Sequence, residues 1–432
     1  MPREAGAGEA NPMRVLFLGL NYAPEAIGIG PYSTGLCQTL ADGGHQVTVI
    51  TAKPYYPHWR IFEGFRSPLY QRAYEGRVEV IRCPLYVPAE PTGLRRLLHH
   101  FSFALAALLA TILCSWRRRD LVVATAPSLL CAPVAVLAAR LWRANCWLHV
   151  QDFEVEAAFA TGLLDSGSRV AKLGRGFERR VIRSFDRVSS ISPEMCAKLV
   201  EMGIPAERVI EFRNWAEVDA VRPAGSRTSP FRDEWRITTP HVALYSGNIA
   251  NKQGLEVVIE AARLLAFRDD ITFVICGDGP NLTRLKSRSA GLANIRYKGL
   301  QPFSSLGDLL ALATIHLLPQ KASAADLVLP SKLTNMLASG KPVIATAAAG
   351  SGLAREVEGC GIVVEPEDPA AFAAAIELLI DQSRLHADAS RTARERALER
   401  WSKQRILSDV IRVMEDVTEQ PRTQLSPAVI DG

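Results

Sequence analysis

The stretch H-V-A-L-Y-S-G-N-I-A-N-K-Q-G-L-E-V-V-I-E-A-A-R-L-L, residues 241–265, decides the fold class. It opens on an apolar run, His241–Ser246, breaks at Gly247, and resumes as a helical pattern over 254–266. A buried strand, a glycine turn and an amphipathic helix make half of a βαβ unit. Moving outward, the rhythm recurs. Strands Thr272–Cys276, Ile295–Lys298, Ile315–Leu318, Val343–Ala347 and Gly361–Val364 alternate with helices over 281–290, 304–313 and 331–339, and helices over 369–382, 385–400 and 403–417 follow. Upstream, strands Arg14–Leu20, Val47–Thr51, Val78–Arg82, Leu121–Ala126, Cys146–Val150 and Arg187–Ser190 alternate with helices over 32–43, 97–116, 128–140, 168–183 and 193–202. This alternation predicts an α/β protein of two doubly wound, Rossmann-like domains, each a parallel sheet covered by helices on both faces. The stretch RPAGSRTSPFRDEWRITTP, 222–240, holds prolines and Ser/Thr without apolar periodicity and reads as a linker. The expected domains are 13–220 and 240–402, with a closing helix over 403–418 packing back towards the first. Ligands of such sheets bind beyond the strand carboxyl ends, so both domains are expected to contribute loops to a central cleft.

The composition fits that class. Of 432 residues, 48% are hydrophobic and 22% charged, which excludes a disordered, collagen-like or coiled-coil chain. Eight scattered cysteines without a C-x-x-C pair read as buried free thiols, with neither a disulfide framework nor a zinc site. Residues 1–12 are polar and lack the apolar region of a signal peptide, so a cytoplasmic location is expected.

The net charge of +5 is unevenly spread. Residues 60–119 carry ten arginines and four glutamates, flanking the uncharged stretch LLHHFSFALAALLATILCSW at 97–116. No basic element interleaved with aromatics appears, so a nucleic-acid partner is not expected. The apolar stretch is long enough to reach across a bilayer. Two adjacent histidines and basic clusters at both ends favour instead a core helix or one lying in a membrane interface, making 95–119 the expected peripheral contact.

Five segments could carry chemistry. The loop N-Y-A-P-E-A-I-G-I-G-P-Y, 21–32, joins the first strand to the first helix, and Gly28 and Gly30 allow close approach of an anion to the helix start. It lacks the dinucleotide fingerprint, which disfavours a nicotinamide cofactor. In Y-S-G-N-I-A-N-K-Q-G-L-E, 245–256, Gly247 would admit a phosphate and Lys252 could supply a point charge. I-C-G-D-G-P, 275–280, sets Gly277 and Gly279 about Asp278 in a tight turn that could meet a base or ribose, or be only a turn. Pro330 and Ser331 open a helix whose first turn presents Ser331, Lys332 and free backbone N–H groups, a ready diphosphate site. Lys332 could neutralise charge developing on a departing diphosphate. Finally, His149 ends the strand W-L-H-V, with Gln151 and Asp152 on the loop beyond. The plain alternatives are a core histidine, a solvated lysine and a capped helix.

Taken together, these segments resemble the family 4 glycosyltransferases of the two-domain GT-B fold. The resemblance runs over roughly 13–415. Within that family, P-E-A-I-G-I-G-P-Y, P-Y-Y-P-H-W, C-P-L-Y-V-P, H-V-Q-D-F-E-V, N-W and A-A-D-L-V-L-P-S-K-L-T-N look like the colanic acid (exopolysaccharide) branch. The resemblance implies a retaining transfer of a sugar from a nucleotide-diphosphate donor, GDP-fucose or similar. It implies a lipid-linked saccharide acceptor at the inner face of the cytoplasmic membrane, and no metal or bound cofactor. It places Gly28, Gly30, Gly247, Asn248, Lys252, Gly277, Asp278, Gly279, Ser331, Lys332 and Asn335 around the donor, with His149, Lys252 and Lys332 acting in catalysis. Asp152 falls on the acceptor side. Two departures stand out: Asn335 takes the place of a ribose-binding glutamate, and Asn248 that of an arginine. They keep open a non-catalytic nucleotide-sugar-binding partner of a polysaccharide assembly complex; a nucleotide-sugar epimerase of the same fold is the rival enzyme. No residue stands out as a general base, so the donor's own phosphate is the expected proton acceptor.

Overall fold

The computed structural model of the chain describes residues 11–26, 28–153, 169–223, 225, 228–322 and 331–419. The chain divides into two compact units. One holds the residues up to Arg213 together with the chain from Leu407 onward, and the other runs from Asn214 to Ile406.

The first unit is built on an eight-stranded sheet in the order β3-β4-β2-β1-β5-β6-β7-β8. Its strands are β1 Arg14–Gly19, β2 Gln46–Ala52, β3 Gln71–Glu75, β4 Val78–Cys83, β5 Leu121–Ala126, β6 Asn145–Val150, β7 Arg187–Ser190 and β8 Val209–Glu211. All pair in parallel except β3, which runs antiparallel along β4 with Ala73 opposite Val80. β4 and β5 are buried along their whole length, as strands covered on both faces must be. Helix Gly93–Leu113 lays Phe103, Ala104, Ala107 and Ala110 on this core and leaves Leu97, Phe101, Leu105, Leu109 and Ile112 exposed. The helix is long and apolar enough to span a bilayer. One face, however, is committed to protein packing, which is the geometry of a helix lying along a surface.

The second unit is a six-stranded parallel sheet in the order β11-β10-β9-β12-β13-β14. These strands are β9 His241–Ser246, β10 Ile271–Cys276, β11 Ile295–Lys298, β12 Ile315–Leu318, β13 Val343–Thr346 and β14 Gly361–Val364. Both sheets are doubly wound, with helices joining their parallel strands except across the β2-β3-β4 stretch, the expected fold class. Helix starts follow local chemistry: Asp368 accepts from Ala371 N at 2.9 Å ahead of Pro369, and Ser192 accepts from Met195 N at 3.2 Å ahead of Pro193.

Three features differ from the sequence reading. β3 has only Ala73 and Tyr74 as apolar residues and sits at an exposed edge, so no buried pattern marks it. β8 is three residues long. The stretch read as a linker is partly core: Phe231 and Trp235 stack at 4.5 Å and, with Ile237, bury against Val242, Leu244 and Val274. At the carboxyl end, helix Lys403–Glu419 buries Leu407, Val410, Met414 and Val417 at helical spacing. Asn145 Nδ2 donates to Val417 O at 2.9 Å, and His45 Nε2 lies 3.3 Å from Glu415 Oε1. This end of the helix belongs to the first unit.

Candidate functional site

The second unit's sheet changes winding direction at β9, which has β10 on one side and β12 on the other. Loops leaving such a switch point diverge and open a crevice at the strand carboxyl ends. Two glycine turns leave there side by side. Gly247 N donates to Cys276 O at 2.9 Å, Ile249 N to Asp278 O at 2.8 Å, and Asn281 N to Ile249 O at 3.1 Å. The turns approach so closely that a Cβ on Gly277 would stand 1.9 Å from Gly247 O, and one on Gly279 2.5 Å from Ile249 O. Packing of one turn on the other thus demands glycine at 277 and 279. Asp278 is exposed and accepts from Gly279 N at 2.8 Å, closing its own turn.

Lys332, second residue of helix Ser331–Ala338, reaches back across this region. Its Nζ donates to Tyr245 Oη at 3.0 Å and lies 4.1 Å from the centre of the Tyr245 ring. A Cβ on Gly247 would meet Lys332 Cδ at 3.5 Å, an ordinary contact, so it is the backbone, at φ +132°, that calls for glycine there. Tyr245 Oη in turn donates to Asn248 O. Burial, reinforced by the charge of Lys252, lowers the Lys332 pKa to about 7. Lys252 is exposed on the single turn Asn251–Gln253, and its carbonyl accepts from Lys321 N at 3.2 Å. Lys321 Nζ donates to Asn251 Oδ1 at 2.8 Å. Lys321 is thus bonded to the turn that carries Lys252, while Lys332 lies close enough to feel the charge of Lys252. Ser331 is exposed at the helix start, with Thr334 Oγ1 donating to its carbonyl. Asn335 Oδ1 accepts from Glu217 N at 3.0 Å.

In the first unit, Gly28 has φ +70° and a Cβ there would meet Tyr56 Cε1 at 3.2 Å. One on Gly30 would meet Glu25 O at 2.7 Å. Glu25 organises this loop. It is buried, with Oε1 accepting from Tyr55 N (2.8 Å) and Tyr56 N (2.9 Å) and Oε2 from Asn21 Nδ2 (2.8 Å). Burial raises its pKa, against the pull of those donors.

His149 sits at the carboxyl end of β6, buried, with its ring 4.5 Å from that of Phe212. Its Nδ1 is 2.9 Å from Ser189 Oγ and its Nε2 is 3.0 Å from Gln151 Nε2. Because the Gln151 amide donates, Nε2 accepts and the proton resides on Nδ1. Burial lowers the pKa to about 3, so the ring is neutral at physiological pH, suited to orienting a ligand and weak as a proton donor. Asp152 is exposed on the loop after β6.

The structure thus gathers Gly247, Asn248, Lys252, Gly277, Asp278, Gly279, Ser331 and Lys332 at one end of the second sheet. It sets Gly28, Gly30, His149 and Asp152 at strand carboxyl ends of the first. Residues 323–330, including the A-A-D-L-V-L-P string, lie outside the described residues. Sequence reasoning missed Tyr245, Lys321 and Glu25. Tyr245 reads as one more apolar strand residue, and only its place two residues before Gly247 distinguishes it.

Comparisons with known proteins bear on the fold and the family. The glycosyl transferase 4-like domain model matches residues 28–215, and the glycosyl transferases group 1 model matches 240–382. The chain is 40% identical over 409 residues, covering 92% of itself and 99% of the relative, to the glycosyl transferase WcaI assigned to colanic acid biosynthesis in Escherichia coli (strain K12). Among solved structures, sucrose-phosphate synthase from Thermosynechococcus elongatus superposes with a TM-score of 0.71 at 16% identity, over 94% of this chain and 99% of that one. HepE from Anabaena, in complex with UDP, does so with a TM-score of 0.67 at 16% identity, over 94% and 100%. These likenesses support the fold, and the sequence match carries the kinship: the chain belongs to the GT-B glycosyltransferases, joining a glycosyl transferase 4-like domain to a group 1 domain.

Proposed function

We propose that this glycosyltransferase takes a sugar from a nucleotide-diphosphate donor, GDP-fucose or a similar compound, and transfers it with retention to a lipid-linked saccharide in exopolysaccharide assembly of the colanic acid type. The observation that carries the reading is Lys332: half-buried, poised at a pKa of about 7 and pressed on Tyr245 beside the bare Gly247. An ammonium kept in such a place gains most when an anion arrives. WcaI, in a colanic acid pathway, and HepE, in complex with UDP, support the donor class by kinship and fold.

In this reading the diphosphate lies against the Gly247 turn and the first turn of helix Ser331–Ala338. Ser331, Lys332 and Lys252 bind it, while Asn248, the Gly277–Gly279 turn and Asn335 meet the nucleoside. Gly28 and Gly30 admit the phosphate side of the donor, neutral His149 orients the sugar, and Asp152 orients the acceptor. As the bond from the sugar C1 to the diphosphate oxygen breaks, Lys332 and the helix N–H groups stabilise the negative charge left on the diphosphate. The acceptor hydroxyl attacks the same face of C1 and gives its proton to that diphosphate, so the chain needs no carboxylate nucleophile, metal or bound cofactor. The exposed side of helix Gly93–Leu113 rests on the inner face of the cytoplasmic membrane, where a lipid-linked acceptor is found.

Thermal shift against UDP, GDP, ADP and their sugars, followed by donor turnover with a membrane lipid extract, tests the proposal. Stabilisation by one base with sugar appearing in lipid is expected. Binding without transfer to any extract would favour the non-catalytic partner, and no nucleotide response would overturn the donor site.

A further inference from the structure

Helix Gly93–Leu113 ends over a cavity of about 190 Å³ near the beginnings of β4 and β5, remote from the strand carboxyl ends. Its walls include Arg72, Glu79, Leu113, Trp116, Arg117 and Arg119. Arg119 is only 6% exposed, and neither its Nε nor its Nη2 has a hydrogen-bond partner. A guanidinium stays charged even where burial depresses its pKa, as here. Left without a counter-ion in such a place it is costly. Glu79 lends Arg119 a favourable charge through space but forms no hydrogen bond with it. Its Oε2 accepts from Thr48 Oγ1 at 3.0 Å and from Arg117 Nη1 at 3.2 Å, and its Oε1 pairs with Arg72. Three guanidinium groups thus share a cavity with one carboxylate, leaving two positive charges in excess.

The two unpartnered atoms identify the missing ligand. Nε and Nη2 form one edge of the guanidinium, spaced to hold two oxygens of a single oxyanion. The cavity exceeds what one water needs, and two of its walls are exposed apolar residues: Leu113, and Trp116 at 72% exposure. They continue the outward stripe of Phe101, Leu105, Leu109 and Ile112. An oxyanion directly beside hydrocarbon, with a tryptophan at the boundary, is the chemistry of a phospholipid headgroup.

We propose that the cavity around Arg119 binds the phosphate of an anionic phospholipid, fixing the end of helix Gly93–Leu113 at the membrane surface. The inference rests on the membrane-facing reading of that helix. It is tested with the full chain and vesicles of phosphatidylcholine with or without 30% phosphatidylglycerol. Arg119→Met should keep the wild-type melting temperature or raise it, because an unpaired buried charge is removed, yet bind the anionic vesicles at least tenfold more weakly. Arg118→Met removes an exposed charge one residue away and should cost no more than the roughly fivefold that one surface charge carries. The Arg119 effect should also survive high salt, which screens the Arg118 effect. Arg119→Lys, which keeps the charge and loses the paired edge, should fall between.

Equal losses for Arg118→Met and Arg119→Met would overturn the proposal. So would stabilisation by inorganic phosphate that needs Arg119 while vesicle binding does not, which would make the cavity a free-phosphate site. Leu105→Ser with Leu109→Ser tests the membrane reading alone and should weaken binding to both vesicle types. If the wild type binds neither, that reading fails with the lipid proposal, and the inorganic-phosphate arm still shows whether Arg119 holds an oxyanion.

Discussion

Lys332→Met is the most informative perturbation of the proposed donor site. In the ligand-free protein the Lys332 pKa is about 7 against an ordinary 10.5, so burial and Lys252 oppose its charged form by roughly 5 kcal/mol. A diphosphate oxygen about 4 Å away returns about 4 kcal/mol at an effective dielectric near 20. Binding should therefore bring the lysine back close to full protonation. At pH 8 about nine in ten lysines with a pKa near 7 are neutral, and at pH 6 about one in ten. The wild type should then take up close to one proton per diphosphate bound at pH 8 and almost none at pH 6. Calorimetry in buffers of different ionisation heat, using the nucleoside diphosphate selected by thermal shift, counts that proton. Affinity should fall as pH rises above 7, since ligand binding must then drive protonation. Lys332→Met should abolish the uptake and weaken binding about 10- to 100-fold at pH 7, the range of a charge-assisted hydrogen bond. Wild-type binding at pH 8 without proton uptake, or the same uptake in the variant, would refute the placement of Lys332 on the diphosphate.

Other expectations follow from the same geometry. Gly277→Ala would put a Cβ 1.9 Å from Gly247 O, so the two turns must part, and chemical denaturation should register a loss of about 2–4 kcal/mol in the second unit; a change below about 0.5 kcal/mol would contradict the interlock. Glu25→Ala strips Tyr55 N, Tyr56 N and Asn21 Nδ2 of their acceptor, and at about 1–3 kcal/mol for each stranded buried donor the 21–32 loop should become protease-sensitive. An unchanged cleavage pattern would argue against Glu25 as its organiser. Buried His149 and His316 both have pKa values of about 3 against 6.5 for an exposed histidine. Both are neutral in folded and unfolded chains above pH 6.5, so stability is lost only as pH falls from there towards 3. Each should cost roughly 2 kcal/mol by pH 5, and urea midpoints that stay flat from pH 7 to pH 5 would contradict their burial as neutral rings.

Much of this molecule is legible in its sequence, for a local reason. Parallel strands covered on both faces must be short apolar runs, and helices between them must be amphipathic, so β5 reads at Leu121–Ala126 and β9 at His241–Ser246 without any knowledge of their neighbours. Glycines at strand ends and Ser331 at a helix start also declare themselves, because turn and cap chemistry depends on adjacent residues. Where the partner lies far along the chain, the sequence is silent. β3 owes its place to β4 alone, and Phe231 and Trp235 look like linker until Val242 and Val274 cover them.

What the amino-acid order determined by itself was therefore the α/β alternation, the two halves, the glycines and lysines that fall at strand and helix ends, and a basic, apolar segment at 95–119. The tertiary structure alone decided which of those charges are strained. Lys332 shares a charge in the sequence with every other lysine, yet folding sets it on Tyr245 within reach of Lys252 and draws its pKa down to about 7. Arg117, Arg118 and Arg119 form one basic run in the sequence, yet the turn into β5 pairs the first with Glu79, exposes the second and buries the third without a partner. Protonation and pairing depend on the dielectric and the charges within a few ångströms, and those neighbours come from distant parts of the chain.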